Sequence, residues 1–284
     1  MTDSTPSPLT DESRDINRAN WDARAPLHID SPGYAVNALI GDPTRLSEVV
    51  AYDRARLGDI TGLRTVHLQC HIGTDTISLA RLGAVSVTGL DLSPASIAGA
   101  RDIAARAGVD ATFVESDVYR ATEVLGTEVF DLVYTGIGAL CWLPDIRAWA
   151  HTVATLLAPG GRLFIREGHP MLWAIDETRS EGLVVGYPYF EQPEPSVWDD
   201  DSTYVETDTP LTATLTHDWN HGLGEIIGAL LAEGLTITGL EEHRSVPWEA
   251  LPGRMHHIGD GEWALTEHNE RLPLTYTLQA VKAG

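Results

Sequence analysis

From residue 63 onward, apolar positions fall into short runs separated by longer stretches of helical period. Thr65–Leu68 is a brief run of the kind a buried strand gives, and the bend after it ends at Gly73. Over Thr74–Leu82 the period becomes helical, with Ile77, Leu79, Ala80 and Leu82 apolar and Arg81 charged. A second strand is predicted over Val85–Leu90, closing on Asp91. Ser93 and Pro94 then suit the N-cap and first position of a helix that Gly108 stops. Ala111–Val114, Val129–Tyr134 and Arg162–Ile165 are further strands, with a helix over Ile146–Leu157 before the Pro159-Gly160-Gly161 turn. Upstream, Asp11–Arg24 and Ser47–Leu57 read as helices. Strand and helix in alternation predict a parallel α/β sheet.

After Glu167 this rhythm breaks. Roughly fifty residues rich in Pro, Tyr, Trp and acid are too many for a simple connection and predict a cap. Alternation at Thr203–Val205 and Leu211–Leu215 predicts an antiparallel hairpin inside it. Leu223–Ala232 is the last helix and Leu235–Leu240 a strand. Leu272, Leu274, Tyr276, Leu278 and Ala280 alternate through the final strand, and Met255–Glu270 reads as an irregular excursion.

The bend Gln69–Gly73 lies between a strand and a helix, and Asp91 sits 18 residues past Gly73 at a second strand's tip. That arrangement describes a nucleoside-binding crevice, with Asp91 placed to accept hydrogen bonds from ribose hydroxyls. The bend is not a dinucleotide fingerprint, which needs glycines so that bare backbone can approach a pyrophosphate. Gln69 and His71 stand where small residues would be. A ligand without pyrophosphate suits the site, and S-adenosylmethionine (SAM) is such a ligand.

Here the chain resembles the class I SAM-dependent methyltransferases. In that family the first strand usually carries an acid followed by alternating glycines. This sequence departs from the pattern with His67 for the acid, Gln69 for the first glycine and His71 for the second. With Gly136–Asp145, Arg166–Pro170 and Trp219–Glu225, these departures resemble a bacterial subgroup acting on small molecules of specialised metabolism, including antibiotic biosynthesis. The resemblance implies a Rossmann-like, seven-stranded, mostly parallel sheet with helices on both faces and a small antiparallel cap insertion. It implies SAM contacts from Gln69, Cys70, His71, Gly73, Asp91, Leu92, Ser93, Asp117, Val118, Thr135 and Gly136, with Trp21, His28 and Tyr34 folding over the cofactor. The organisation expected is a tail over 1–14, a helical segment covering the cofactor site over 15–62 and a SAM-binding core over 63–168. A cap over the acceptor site follows at 169–218, and 219–284 completes the core sheet.

A net charge of −22 on 284 residues repels nucleic acid and anionic lipid, leaving a small-molecule acceptor. Two cysteines, a polar start and no apolar stretch of membrane length predict a cytoplasmic protein, with monomer and homodimer both left open. Tyr187, Tyr189, Phe190, Trp198 and Trp219 predict an apolar pocket for a ring-bearing acceptor.

Transfer to a hydroxyl gains from a general base, and histidine titrates in the right range. His169 and His221 are the candidates, each with a competing role as the pin of its own turn, and Glu167 is placed to orient either or to hold an acceptor amine. Gln69 and His71 either meet the SAM carboxylate or brace the bend. His217 and His221 have i, i+4 spacing, but without H-E-x-x-H no metal site is expected. Three readings stay open: methyl transfer to oxygen or nitrogen, an NAD(P)-dependent oxidoreductase, and a non-catalytic SAM-binding protein.

Overall fold

A computed structural model describes residues 8–179 and 182–284. The helices are α1 (Pro8–Asp30), α2 (Val36–Gly41), α3 (Glu48–Leu57), α4 (Thr74–Arg81), α5 (Pro94–Ala107), α6 (Ala121–Leu125), α7 (Ile146–Leu156), α8 (Pro170–Trp173) and α9 (Leu223–Ala232). The main-sheet strands are β1 (Arg64–Leu68), β2 (Ser86–Asp91), β3 (Thr112–Glu115), β4 (Phe130–Thr135), β5 (Leu157–Gly168), β8 (Leu235–His243) and β11 (Thr275–Lys282). Two hairpins stand apart from it, β6 (Ser196–Asp199) with β7 (Leu215–Asp218), and β9 (Met255–Gly259) with β10 (Glu262–Leu265).

The main sheet runs β3-β2-β1-β4-β5-β11-β8, parallel except where β11 pairs antiparallel with β5 and β8. This is the mostly parallel seven-stranded sheet the sequence implied. Successive side chains leave opposite faces of a strand, and the core divides accordingly. Val133, Leu163 and Ile165 pack with Trp149 and Val153 of α7 and Leu230 of α9. Leu132, Tyr134 and Phe164 point the other way, against Val50 and Leu57 of α3 and Leu79 of α4. Because helices cover both faces, β11 is buried along most of its length, Thr275 and Thr277 included, and its polar–apolar alternation does not mark an exposed face.

Three expectations need correction. Residues 1–7 of the expected tail lie outside the described residues, and from Pro8 the chain is helix. The cap hairpin forms from Ser196–Asp199 and Leu215–Asp218, not from Thr203–Val205 and Leu211–Leu215. Thr203 and Tyr204 are drawn to the N-terminal segment instead: Thr203 Oγ1 meets Arg24 at 3.2 Å and His28 at 2.8 Å, and Tyr204 meets the Tyr34 hydroxyl at 2.5 Å. Met255–Glu270 is not irregular. Asp260 and Gly261 both have positive φ, 51° and 75°, which suits the two-residue turn joining β9 to β10. The cap is thus built from two stretches, since Leu172 and Ile175 share a cluster with Val246, Leu251, Met255 and Leu265.

A buried ion pair ties this second stretch to the sheet. Arg166 Nη2 donates to both Glu262 oxygens at 2.9 and 2.8 Å, and the guanidinium lies 3.6 Å from the Tyr52 ring centroid. The Arg166 side chain is wholly buried, so removing its partner's charge leaves a cation without compensation. Glu262→Gln is expected to lower unfolding free energy by about 1.5–3 kcal/mol, read as a lower urea midpoint at unchanged slope. Among the described residues, no helix is long and apolar enough to cross a membrane.

Candidate active site

The carboxyl ends of β1, β2 and β4 open into one cavity of about 1380 Å³, roofed by α1 and the cap. The strand-end position is where ligands bind in open parallel sheets.

The bend after β1 is held in a costly shape. Gln69 and His71 take left-handed backbone angles, φ 56° and 49°, which cost about 1 kcal/mol or more each for residues with a Cβ. Hydrogen bonds on every side hold them there. Cys70 N donates to Leu90 O at 2.9 Å, His71 N to Asp91 Oδ2 at 2.7 Å, and Gln69 Nε2 to Ala139 O at 2.8 Å. The His71 ring meets Ser96 Oγ at 3.0 Å and His28 Nδ1 at 2.8 Å. These are brace contacts, so both side chains stabilise the loop, while Gln69 Oε1 stays buried with no protein partner. Gly73 cannot be replaced: a Cβ there would lie 2.7 Å from Phe113 and 2.8 Å from Ala100.

Asp91 stands on the cavity wall with its carboxylate aimed by two amides, from His71 to Oδ2 and from Ser93 to Oδ1 at 2.9 Å. Burial pushes it up to about 6, against these hydrogen bonds. Ser93 itself is turned away, capping α5 and donating to Asp22 Oδ1 at 2.6 Å. Asp117 accepts from Tyr119 N at 2.9 Å and also lines the cavity, as do Leu92, Val118, Cys70 and Gly136. Thr135 and Gly73 do not reach the wall. Trp21 and Tyr34 close over the bend, Trp21 with its ring centroid 4.9 Å from His71 and 5.2 Å from Trp142.

The expected bases are elsewhere. His169 caps α8, accepting from Met171 N at 3.0 Å, while its Nε2 lies 3.0 Å from Glu242, outside the cavity. His221 binds Glu191 at 2.7 Å and the carbonyls of Leu140 and Leu143 at 3.1 and 2.8 Å. Glu167 accepts four backbone amides, from Gly138 and Gly168 on Oε1 and from Ala139 and Leu140 on Oε2. All three pin the loop after β4 or its neighbours. The histidines that line the cavity are His67 and His71, both held neutral by burial, His67 down to about 3. His217 is spent on Ser13 at 2.8 Å. Tyr189 accepts from Leu223 N at 3.1 Å instead of lining the cavity, whereas Tyr187, Phe190, Trp198 and Trp219 do line it.

The sequence reading passed over two wall residues, Asp75 and Asp218. Asp75 occupies the first turn of α4 and is pushed up to about 6 by burial. Asp218 ends β7, accepts from Trp198 Nε1 at 2.8 Å, and is likewise pushed up to about 6. Asp75 sits only two residues past the glycine of the bend, a legible signal. Asp218 carries none, because its place depends on where the cap folds.

Asp75, Asp91 and Asp117 at the strand ends, with an orphaned Gln69 oxygen, make an acceptor-rich floor. That floor fits a cationic nucleoside, with sulfonium and ammonium, and opposes a pyrophosphate, for which the bend presents side chains instead of bare backbone.

A family model described as a methyltransferase domain matches residues 66–163. The ubiquinone biosynthesis O-methyltransferase of Xanthomonas oryzae pv. oryzae (strain PXO99A) is 37% identical over 146 residues, 51% of this chain and 54% of the relative. The chain thus spans about half the length of the curated relatives it matches. An S-adenosylmethionine dependent methyltransferase from Mesorhizobium loti superposes over 83% of this chain and 98% of its own, with TM-score 0.55 and 22% identity. A Burkholderia thailandensis 1,6-didemethyltoxoflavin-N1-methyltransferase, solved with its namesake ligand and S-adenosylhomocysteine, covers 99% and 93%, with TM-score 0.54 and 17% identity. These two structures show the fold. With the domain model over residues 66–163, they support the fold of the class I SAM-dependent methyltransferases for this chain. S-adenosylmethionine is the cofactor named for structural neighbours of this fold, and S-adenosylhomocysteine is bound in one of them.

Proposed function

We propose that the protein transfers a methyl group to an oxygen or nitrogen of a small, ring-bearing organic acceptor. The observation that carries this reading is a single cavity with an acceptor-rich strand-end floor and an aromatic roof. Its volume of about 1380 Å³ exceeds the roughly 300–1,000 Å³ of a pocket for one small ligand, leaving room for a cofactor and an acceptor together. SAM supplies a methyl already activated on sulfur, so the chain's task is to hold two reactants in line and exclude water. Such positioning accounts for roughly 7–11 kcal/mol of a barrier.

Asp91 and Asp117 hold the nucleoside end, the former on ribose hydroxyls and the latter on adenine. Leu92 and Val118 flank the base. The loop Gly136–Ala139 runs under the amino-acid tail, while Trp142, Trp173, Tyr187, Trp198 and Trp248 enclose the acceptor. The name of the O-methyltransferase relative favours oxygen. A cytoplasmic setting accords with two unpaired cysteines, Cys70 and Cys141.

Asp218 is one of the carboxylates on the cap side of the cavity, and the hydrogen bond from the Trp198 indole aims it. It takes the acceptor's proton or anchors its amine. Ionised above about pH 6, it is lost as a base when the pH falls below that value. Turnover is expected to fall below pH 6. Asp218→Asn is expected to lower turnover about tenfold or more and, at saturating SAM, to erase that acidic limb, with S-adenosylhomocysteine affinity at neutral pH unchanged. A variant as fast as the parent would remove Asp218 from the reaction. The activity itself is tested with methyl-labelled SAM against phenols, amines and carboxylates, alongside calorimetry of S-adenosylhomocysteine, NAD and NADP. Tighter binding of a dinucleotide would turn the reading toward an oxidoreductase. Binding without label transfer to any acceptor would leave a SAM-binding protein.

A further inference from the structure

The cofactor's amino-acid tail bears an ammonium that needs an anionic partner, and the sequence removes the first-strand acid by placing His67 there. His67 does not substitute for it. Its Nδ1 is engaged with Thr76 Oγ1 at 2.9 Å, and burial holds the ring neutral. Of the carboxylates on the floor, Asp91 is fixed at the β2 tip and Asp117 after β3. Asp75 lies on the other side of the bend, toward β4. A Cβ built on Gly136 would stand 3.3 Å from Asp75 Oδ2 and 3.4 Å from His67 Nε2. Carboxylate, imidazole and glycine therefore converge at one point of the cavity wall, at the start of the loop assigned to the amino-acid tail.

We propose that Asp75, from the first turn of α4, binds the ammonium of the cofactor and so replaces the acid missing at position 67. The proposal rests on the reading of this cavity as the SAM site. Burial raises the Asp75 carboxyl to about 6, which leaves it ionised at neutral pH, and the field of Arg166 favours that form. The α4 position has a physical consequence. A carboxylate on the helix and one on the strand approach the same ligand group from different elements, so the strand residue is free to change while the charge persists.

The test compares two probes by calorimetry. S-adenosylhomocysteine carries the ammonium; 5′-methylthioadenosine keeps the nucleoside and thioether without the amino-acid tail. Asp75→Asn, which keeps the side chain's shape, is expected to weaken S-adenosylhomocysteine by at least about tenfold. Its affinity for 5′-methylthioadenosine is expected to stay within about twofold, which also reports that the site is folded. Asp75→Glu is expected to recover part of the lost affinity. Unchanged S-adenosylhomocysteine affinity, or an equal loss for both probes, would overturn the role of Asp75 while leaving the cavity assignment in place. Failure of the parent protein to bind either probe would overturn the assignment itself and the proposal with it.

Discussion

Replacing Glu167 with alanine is expected to lower the unfolding free energy by about 3–5 kcal/mol. Its two oxygens accept amides from Gly138 at 2.6 Å, Gly168 at 2.7 Å, Ala139 at 2.8 Å and Leu140 at 2.9 Å. The side chain is almost wholly buried, so these donors lose a charged acceptor with little water to replace it. Hydrogen bonds to a charged group contribute roughly 1.5–3 kcal/mol each and do not add, which sets the range. Burial raises the Glu167 carboxyl above its ordinary value, and the four amides oppose that rise. Glu167→Gln is no remedy, because its NH₂ would face amide donors where an oxygen is needed. Urea unfolding measures the loss. Affinity for S-adenosylhomocysteine should fall as well, since the loop Gly138–Leu140 forms part of the cavity's edge. A variant within about 1 kcal/mol of the parent would mean that this carboxylate does not hold the loop.

The second large effect falls on ligand binding. Asp91→Ala is expected to weaken S-adenosylhomocysteine by well over tenfold, since a hydrogen bond to a charged group contributes roughly 1.5–3 kcal/mol. The loss has two sources. The ribose hydroxyls lose their acceptor, and the His71 amide loses the oxygen that holds it at 2.7 Å, so a bend already in left-handed geometry is released. Asp91→Asn keeps one oxygen acceptor and should lie between parent and alanine variant. Because the ribose is common to both nucleosides, 5′-methylthioadenosine should weaken in parallel, unlike its expected indifference to Asp75→Asn. Parent-like affinity in Asp91→Ala would move the ribose elsewhere.

The strand–bend–helix unit around Gly73 was legible because its determinants are local. A short apolar run, a glycine with φ 77° where the bend meets the helix, and Ser93 and Gly108 as helix caps all act within a few residues. For His169 and His221 the sequence left the role of base open beside that of pinning a turn, and the part Glu167 plays was not legible. Glu167 and His169 lie at the end of β5 and His221 just before α9, but each side chain turns back to satisfy loop amides or carbonyls, a requirement that appears only once the backbone is folded. The β9–β10 hairpin was readable from Asp260-Gly261, a pair suited to its turn, and was passed over. The β6–β7 register was not, because α1 decides it. Asn17 exchanges hydrogen bonds with the backbone of His217 at 2.8 and 2.9 Å, and Asn20 holds Ala213 O at 2.7 Å. Those partners are about 200 residues apart.

By itself, then, the chain's pattern determined the parallel sheet, the bend, and a carboxylate at the tip of β2, since period, glycine and capping act at short range. Tertiary structure alone decided which polar groups face the cavity. A buried amide or carbonyl takes whichever side chain folding brings within reach, and that choice turned two histidines and a glutamate inward while leaving Asp75 and Asp218 on the wall.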